Sequence, residues 1–371
     1  MLTRDFDFEL PEELIAQRAL PRGQSRLLVL DAEGEDRHRL IADLPQLLQP
    51  GDLLVVNDTR VIPARLFAHR PTGGKVEILL VEPVPRESSS SERSAEGSEP
   101  APEGDAPSLE REVPSLEWEV LVKPGRKARP GTILQLPDGP SLEILSKGDD
   151  GRHRARFDQP IEPHLERLGH VPLPPYIKRP DEASDHERYQ TVFARHPGAI
   201  AAPTAGLHFS DELLQQLEDR GIRRTTVTLH VGIGTFKPVT AELAHEHVMD
   251  RERWRVSEEA AEAIRSTRAA GGRIVAVGTT VVRTLESAAR ASGGEILPGS
   301  GNTDLFIRPG FPFQAVDLLL TNFHLPRSTL LMLVSALAGR ERVLDAYREA
   351  VERRYRFYSY GDAMLVGRGE G

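Results

Sequence analysis

The chain reads as a layered α/β domain carrying a small inserted antiparallel β-barrel domain, and three observations lead to that fold class. After about residue 195, apolar strand-like runs alternate with amphipathic segments that start on capping residues, the pattern of strands and helices packed in layers. Residues 75–81, 116–122, 132–136, 141–145 and 152–157 are short strand-like runs separated by Pro-Gly, Asp-Gly and Gly-Asp-Asp turn signals, the pattern of a small antiparallel barrel. The early run Leu53-Leu54-Val55-Val56, ending at Asn57-Asp58-Thr59-Arg60, reads as one more strand of the α/β sheet, so the barrel interrupts that domain. The expected division is 1–63 and 158–371 for a discontinuous α/β domain and 64–157 for the barrel.

The helices follow from their ends. Ser210 caps a segment whose first turn holds Asp211 and Glu212 and which stops before Gly221; Ser257, with Glu258 and Glu259, does the same before Gly271. A third helix begins at Thr279 or Thr280 and buries Val281, Val282, Leu285 and Ala288, and a fourth, from Ser328, is apolar on most faces. The last, Arg340 to Arg356, carries Val343, Tyr347, Val351 and Tyr355 at four-residue intervals, an amphipathic stripe. Within the barrel, residues 85–115 are rich in Ser, Glu, Pro and Gly and nearly free of large apolar side chains. Burial there cannot offset the entropy of ordering, so a disordered surface insertion is expected.

At 371 residues the chain is long enough for a sizeable core in two domains. It contains no cysteine, which excludes disulfides, iron–sulfur clusters, thiolate zinc sites and a cysteine nucleophile. Met1 to Gln17 mixes acids and Arg4 among its apolar residues, unlike an export signal, and Leu330 to Leu337 is far short of the roughly 20 residues that span a bilayer. A cytoplasmic protein is expected, with no membrane partner. The formal charge of −9 argues against nucleic acid, yet −5 of it lies between Arg86 and Glu112, which leaves room for a basic surface elsewhere.

Four polar turns hold the candidate chemistry: Ala202-Pro203-Thr204-Ala205-Gly206-Leu207-His208-Phe209, His230-Val231-Gly232-Ile233-Gly234-Thr235-Phe236, Val277-Gly278-Thr279-Thr280 and Asn322-Phe323-His324-Leu325-Pro326. In open α/β sheets the ligand crevice lies beyond the carboxyl ends of the strands, so such turns suggest one shared pocket. Glycine lets the backbone approach a ligand, and threonine hydroxyls donate or accept, which suits an anionic or sugar-bearing substrate. His208, His230 and His324 are the candidate proton carriers. Arg60, Arg65 and Lys75 form a candidate cationic cluster at a strand end; Lys123, Arg126, Lys127 and Arg129 lie in a Pro-Gly-bounded loop, and Arg152, Arg154 and Arg156 alternate along one strand. Phosphate contact and plain solvation are both open for these cations. His245-Glu246-His247 is read as a solvated loop rather than a metal site.

These residues resemble the S-adenosylmethionine:tRNA ribosyltransferase-isomerase family of queuosine biosynthesis. The matching stretches run from Asp5-Phe6-Asp7-Phe8-Glu9-Leu10-Pro11 through Asn57-Asp58-Thr59-Arg60-Val61-Ile62-Pro63-Ala64-Arg65, Gly169-His170-Val171-Pro172-Leu173-Pro174-Pro175-Tyr176-Ile177 and Tyr189-Gln190-Thr191-Val192. They include the four turns and end at Phe357-Tyr358-Ser359-Tyr360-Gly361-Asp362-Ala363-Met364. Two departures stand out: the acidic stretch 85–115 is longer than the family's usual connection, and Asp250 stands where the family often carries a second histidine. The resemblance implies transfer and isomerisation of the ribosyl moiety of S-adenosylmethionine onto 7-aminomethyl-7-deazaguanine at the wobble position of tRNA. Epoxyqueuosine-tRNA, adenine and methionine would be the products.

It implies S-adenosylmethionine as co-substrate with no cofactor and no metal, tRNA as the partner, and a monomer. The substrate-contact positions it implies are Asn57, Thr59, Arg60, Arg65, Lys75, Tyr176, Thr204, Gly206, Gly232, Gly234, Thr235, Thr279, Thr280 and Asn322. Lys123, Arg126, Lys127 and Arg129 are the tRNA phosphate candidates. A base beside the sulfonium and a proton donor for departing adenine are needed, and histidine suits both tasks near neutral pH. A non-catalytic tRNA-binding module and an S-adenosylmethionine-dependent RNA methyltransferase are the alternative readings, separable by their products.

Overall fold

The computed structural model describes residues 1–30, 36–84, 115–148, 151–236 and 239–369, so the expected disordered insertion falls, apart from Ser115, outside the described residues. Two compact units emerge: residues 1–61 with 173–371, and residues 62–172.

The larger unit is built on a nine-stranded mixed sheet. Its strands lie in the order Gly299–Thr303, Glu252–Val256, Arg223–Leu229, Leu53–Asn57, Ile274–Val277, Leu318–Asn322, Ala363–Gly367, Arg26–Leu30, Arg37–Leu40. Four adjacent strands, Arg223–Leu229, Leu53–Asn57, Ile274–Val277 and Leu318–Asn322, run parallel. The middle two are buried at every position, as expected of parallel strands covered on both faces. Alternation then assigns each side chain to a layer: Leu53, Val55, Ile274 and Ala276 pack into one core, while Leu54, Val56, Val275 and Val277 pack into the other.

The helices form where the caps place them. Ser210 Oγ accepts from the Leu213 N–H at 3.2 Å to start Asp211–Asp219, Ser257 Oγ from Ala260 at 3.1 Å to start Glu258–Ala269, and Ser328 Oγ from Leu331 at 3.2 Å to start Thr329–Ala338. The third expected helix is Thr279–Ala291, entered through Gly278 at φ 91°, a conformation that favours glycine. The last helix is shorter than its stripe suggests. It ends at Glu352, Arg354 turns left-handed at φ 55°, and Tyr355 is buried beyond the helix instead of on it.

The smaller unit is a closed six-stranded barrel in the order Arg152–Phe157, Glu117–Lys123, Lys75–Pro83, Arg65–His69, Ile133–Gln135, Ser141–Lys147. Leu66, Ile78, Val120, Ile144 and Ala155 fill its interior at 0% exposure. The expected boundary at 157 requires correction, because residues 158–172 belong with the barrel. Arg65 and His170 exchange backbone hydrogen bonds at 3.2 and 2.8 Å, and Ile161 and Leu165 are buried, so this polar-looking segment finishes the barrel's packing. The strand Arg65–His69, which closes the barrel, is too short and mixed in polarity to stand out in the sequence.

In the larger unit, Glu252 and Arg283, each 5% exposed, form a buried ion pair. Glu252 also accepts from the Gly232 N–H at 3.1 Å, and Arg283 Nε donates to the Leu305 carbonyl at 3.2 Å, so the pair ties the helix Thr279–Ala291 to the turn after Leu229. Removing one partner leaves an uncompensated buried charge. Glu252→Ala is expected to lower unfolding stability by about 3–5 kcal/mol, measured by urea denaturation, against a negligible change for the exposed Glu258→Ala.

Candidate active site

The carboxyl ends of the parallel strands surround a small cleft, partly open to solvent. Three of the four polar turns line it, through Ala202–Ala205, Gly278–Thr280 and Thr321–His324, and the fourth contributes Val231. Only three of these turns follow strands of the main sheet. The turn Ala202–Phe209 follows His196–Ala199, which pairs in a separate two-stranded ribbon with Thr59–Val61. The remaining wall, Tyr176, Ala201, Leu330, Tyr358 and Ser359, comes from outside the turns. Of these, Tyr358 and Ser359 carry no local signal except their place in the Phe357–Met364 stretch.

Asn57 joins three elements of this edge. Its Oδ1 accepts from the backbone N–H groups of Thr59 and Leu229, each at 3.1 Å, and its Nδ2 donates to the Leu229 carbonyl at 3.0 Å and to Thr280 Oγ1 at 3.3 Å. With every polar atom spent on the protein, Asn57 is a staple for the cleft, not a lining residue. Thr59 likewise turns to His230, with Oγ1 2.9 Å from Nδ1.

The three histidines separate. His324 lines the cleft, with Nε2 2.9 Å from Thr321 Oγ1 and its backbone N–H donating to the Tyr347 hydroxyl at 3.0 Å. His208 stands one residue back, its Nε2 3.2 Å from Nδ2 of the cleft-lining Asn322. His230 does not line the cleft; its ring lies 2.9 Å from where a Cβ on Gly198 would fall. Burial pushes His324 down to about 3; it does the same to His208, where Arg188, Arg22 and Arg356 add to the effect. Both imidazoles are therefore neutral at pH 7, which corrects the expectation of histidines poised near neutrality. A neutral imidazole can accept a proton; it is not a resting acid. Burial also raises the Tyr176 phenol well above its ordinary range, and its hydroxyl pairs with Ser359 Oγ at 2.5 Å.

The other candidate positions are distributed as follows. Thr204, Thr279 and Thr280 line the cleft. Gly206 and Gly234 are packing glycines: a Cβ on Gly206 would sit 2.7 Å from Thr191 Cγ2, and one on Gly234 2.6 Å from Asp250 Oδ2. Gly232 has open space around its Cα and gives its N–H to Glu252, while Thr235 lies in the short turn Ile233–Phe236. Arg65 and Lys75 do not cluster with each other. Arg60 is exposed on the ribbon of the larger unit, whereas Arg65 and Lys75 belong to the barrel unit. The antiparallel register pairs Arg65 with Leu79 and Lys75 with His69, at opposite ends of one hairpin. Arg65 meets Glu77 at 3.4 Å, and Lys75 sits over the Phe67 ring. In the segment 245–247, His247 packs edge-on against Phe306, and among the described residues no group of three or more His, Asp or Glu side chains is arranged to hold a metal.

A cleft assembled from strand-end turns across the whole length of the chain predicts relatives that match end to end, and they do. The family described as queuosine biosynthesis protein matches residues 3–366. The chain is 52% identical to the S-adenosylmethionine:tRNA ribosyltransferase-isomerase of Anaeromyxobacter sp. (strain Fw109-5), covering 100% of both proteins. It is 51% identical to that of Carboxydothermus hydrogenoformans, covering 99% of this chain and 100% of the relative. The crystal structure of S-adenosylmethionine tRNA ribosyltransferase from Thermotoga maritima is 40% identical over 98% of this chain and 99% of its own, with a TM-score of 0.53. With the motifs, the fold and the whole length in agreement, this chain belongs to the queuosine biosynthesis protein family.

Proposed function

We propose that the chain is an S-adenosylmethionine:tRNA ribosyltransferase-isomerase acting at the strand-end cleft. It would move the ribosyl group of S-adenosylmethionine onto 7-aminomethyl-7-deazaguanine at the tRNA wobble position and yield epoxyqueuosine-tRNA, adenine and methionine. No cofactor beyond the co-substrate is needed, and the place of action is the cytoplasm, with the protein working as a monomer. The full-length match to enzymes of that name carries the reading. The cleft supports it with hydroxyl side chains from Thr204, Thr279, Thr321 and Ser359, and with the first turn of Thr279–Ala291, whose N–H groups suit a carboxylate.

The sulfonium acidifies the adjacent 5′ carbon by stabilising the negative charge that develops there. His324 lines the cleft with its imidazole unprotonated, so it has a lone pair to take that proton, although burial weakens it as a base; the imidazolium so formed is a strong acid and protonates adenine as its bond to the ribose breaks. One residue can thus serve as base and then as acid, although its resting state is not acidic. His208, which reaches the cleft through Asn322, is a positioning residue on this reading.

In the barrel unit, Lys123, Arg126 and Arg129 are exposed and make no ion pair with a carboxylate among the described residues; Lys127 shares the turn Gly125–Lys127. The strand arginines differ. Arg152 pairs with Glu119 at 3.0 Å, and Arg154 and Arg156 pair with Glu117 at 2.6 Å each. The loop therefore offers the uncompensated charge that tRNA phosphates need.

Four outcomes are expected. Purified protein with S-adenosylmethionine and tRNA bearing the aminomethyl base releases adenine in step with epoxyqueuosine; S-adenosylhomocysteine would mark a methyltransferase, and no product a binder. His324→Ala loses roughly 10²- to 10⁴-fold in kcat. Both buried imidazoles stay neutral in the fold down to about pH 3 but take a proton near 6.5 when unfolded, so their contribution is full above pH 6.5 and is lost as pH falls toward 3. The urea midpoint of the wild type should drop between pH 7.5 and 5, and drop less in His208→Gln and His324→Gln; parallel drops would refute neutral burial. Neutralising Lys123, Arg126, Lys127 and Arg129 together weakens tRNA binding and flattens its salt dependence by about 0.7 to 0.9 per lost contact, with S-adenosylmethionine binding unchanged.

A further inference from the structure

The strand Leu318–Asn322 ends on an amide whose two arms are in opposite situations. Asn322 is 2% exposed and lines the cleft. Its Nδ2 lies 3.2 Å from His208 Nε2, 3.1 Å from the Tyr358 carbonyl and 3.4 Å from the Asp362 carbonyl, so both N–H bonds are spent. Its Oδ1 is buried and receives no hydrogen bond from any described residue. Exchanging the two arms would press Oδ1 against two carbonyl oxygens, so the neighbours dictate the orientation. It follows that His208 accepts at Nε2. A buried acceptor without a donor is rare in a folded protein, and one that lines a cleft is explained by a donor arriving with the ligand.

The orientation is held at a backbone cost. Tyr358 adopts φ 75°, a left-handed conformation unusual for a bulky side chain. Three hydrogen bonds keep it there: its N–H donates to the Phe323 carbonyl at 3.1 Å, and its own carbonyl accepts from Gly361 at 2.8 Å as well as from Asn322. Gly361 closes this turn so tightly that a Cβ would lie 2.4 Å from the Arg356 carbonyl oxygen. Strain of this kind persists where the surroundings over-determine it, and here its product is a carbonyl aimed at the Asn322 amide.

We propose that Asn322 Oδ1 accepts a hydrogen bond from a ribose hydroxyl of bound S-adenosylmethionine, and that Tyr358 is the positioning residue whose left-handed turn keeps that acceptor facing the ligand. The assignment rests on reading the cleft as the S-adenosylmethionine site. The co-substrate offers three kinds of donor: ribose hydroxyls, the adenine amino group and the methionine ammonium. An ammonium is disfavoured because no carboxylate stands among the residues lining the cleft, and a neutral amide oxygen alone is a poor partner for a desolvated cation. Adenine departs during the reaction, whereas the ribosyl group must be held until it is transferred. A neutral amide in a lining that also holds Thr321 and Ser359 matches a polyol.

The experiment pairs a changed enzyme with a changed ligand. Calorimetry would measure binding of S-adenosylmethionine and its 2′-deoxy, 3′-deoxy and N6-dimethyl analogues to the full-length wild type, Asn322→Ala and Asn322→Ser. Wild type should bind one deoxy analogue about 10- to 100-fold more weakly than S-adenosylmethionine, and that penalty should vanish in both variants. Tyr358→Gly and Tyr358→Asn, which tolerate the left-handed turn, should keep the deoxy penalty; Tyr358→Val, which does not, should lose it. An equal deoxy penalty in wild type and the Asn322 variants would overturn the assignment, as would a penalty for the N6-dimethyl analogue alone that those variants abolish. Failure of the wild type to bind S-adenosylmethionine would instead overturn the reading of the cleft.

Discussion

The structure of the larger unit depends on the burial of four parallel strands whose carboxyl ends stop together. Parallel strands need cover on both faces, and the alternation of Leu53–Asn57 and Ile274–Val277 supplies one core on each side. Once both faces are closed, the strand ends are the place where backbone turns back and polar atoms collect. Asn57 then holds those ends in register by giving all its hydrogen bonds to Thr59, Leu229 and Thr280. The Glu252–Arg283 pair performs a similar task on the flank.

What results is a cleft with little ionisation of its own. His208 and His324 are held neutral, and burial keeps the Tyr176 and Tyr358 phenols protonated. A cationic ligand entering such a place would bring the dominant charge. The guanidiniums of Arg22, Arg188 and Arg356 lie behind His208 rather than in the cleft lining, and Arg22 is satisfied by the Leu207 and Gln190 carbonyls at 2.8 and 2.7 Å. They shape the field without requiring a counter-charge in the cleft.

The barrel unit divides its cations by another rule. Where arginines alternate along the strand Arg152–Phe157, the antiparallel partner Glu117–Lys123 supplies Glu119 to Arg152 and Glu117 to both Arg154 and Arg156, so much of the positive charge is neutralised across the strands. In the loop after Lys123, Arg126 and Arg129 are exposed and make no ion pair with a carboxylate among the described residues.

The sequence by itself determined the period-based features: the buried parallel strands, the serine-capped helices, the barrel strands with clear turn signals and the strand-end turns around one cleft. These are local, set by alternation, by the hydroxyl that satisfies a helix's first N–H groups and by backbone turns. Tertiary structure decided what depends on partners distant in the chain. It separated Arg65 from Lys75 by antiparallel register and drew residues 158–172 into the barrel through the Arg65–His170 hydrogen bonds. It placed Tyr358 and Ser359 against Tyr176, and it took the charge from His208 and His324, because desolvation is a property of the packed environment and is written in no single segment of the chain.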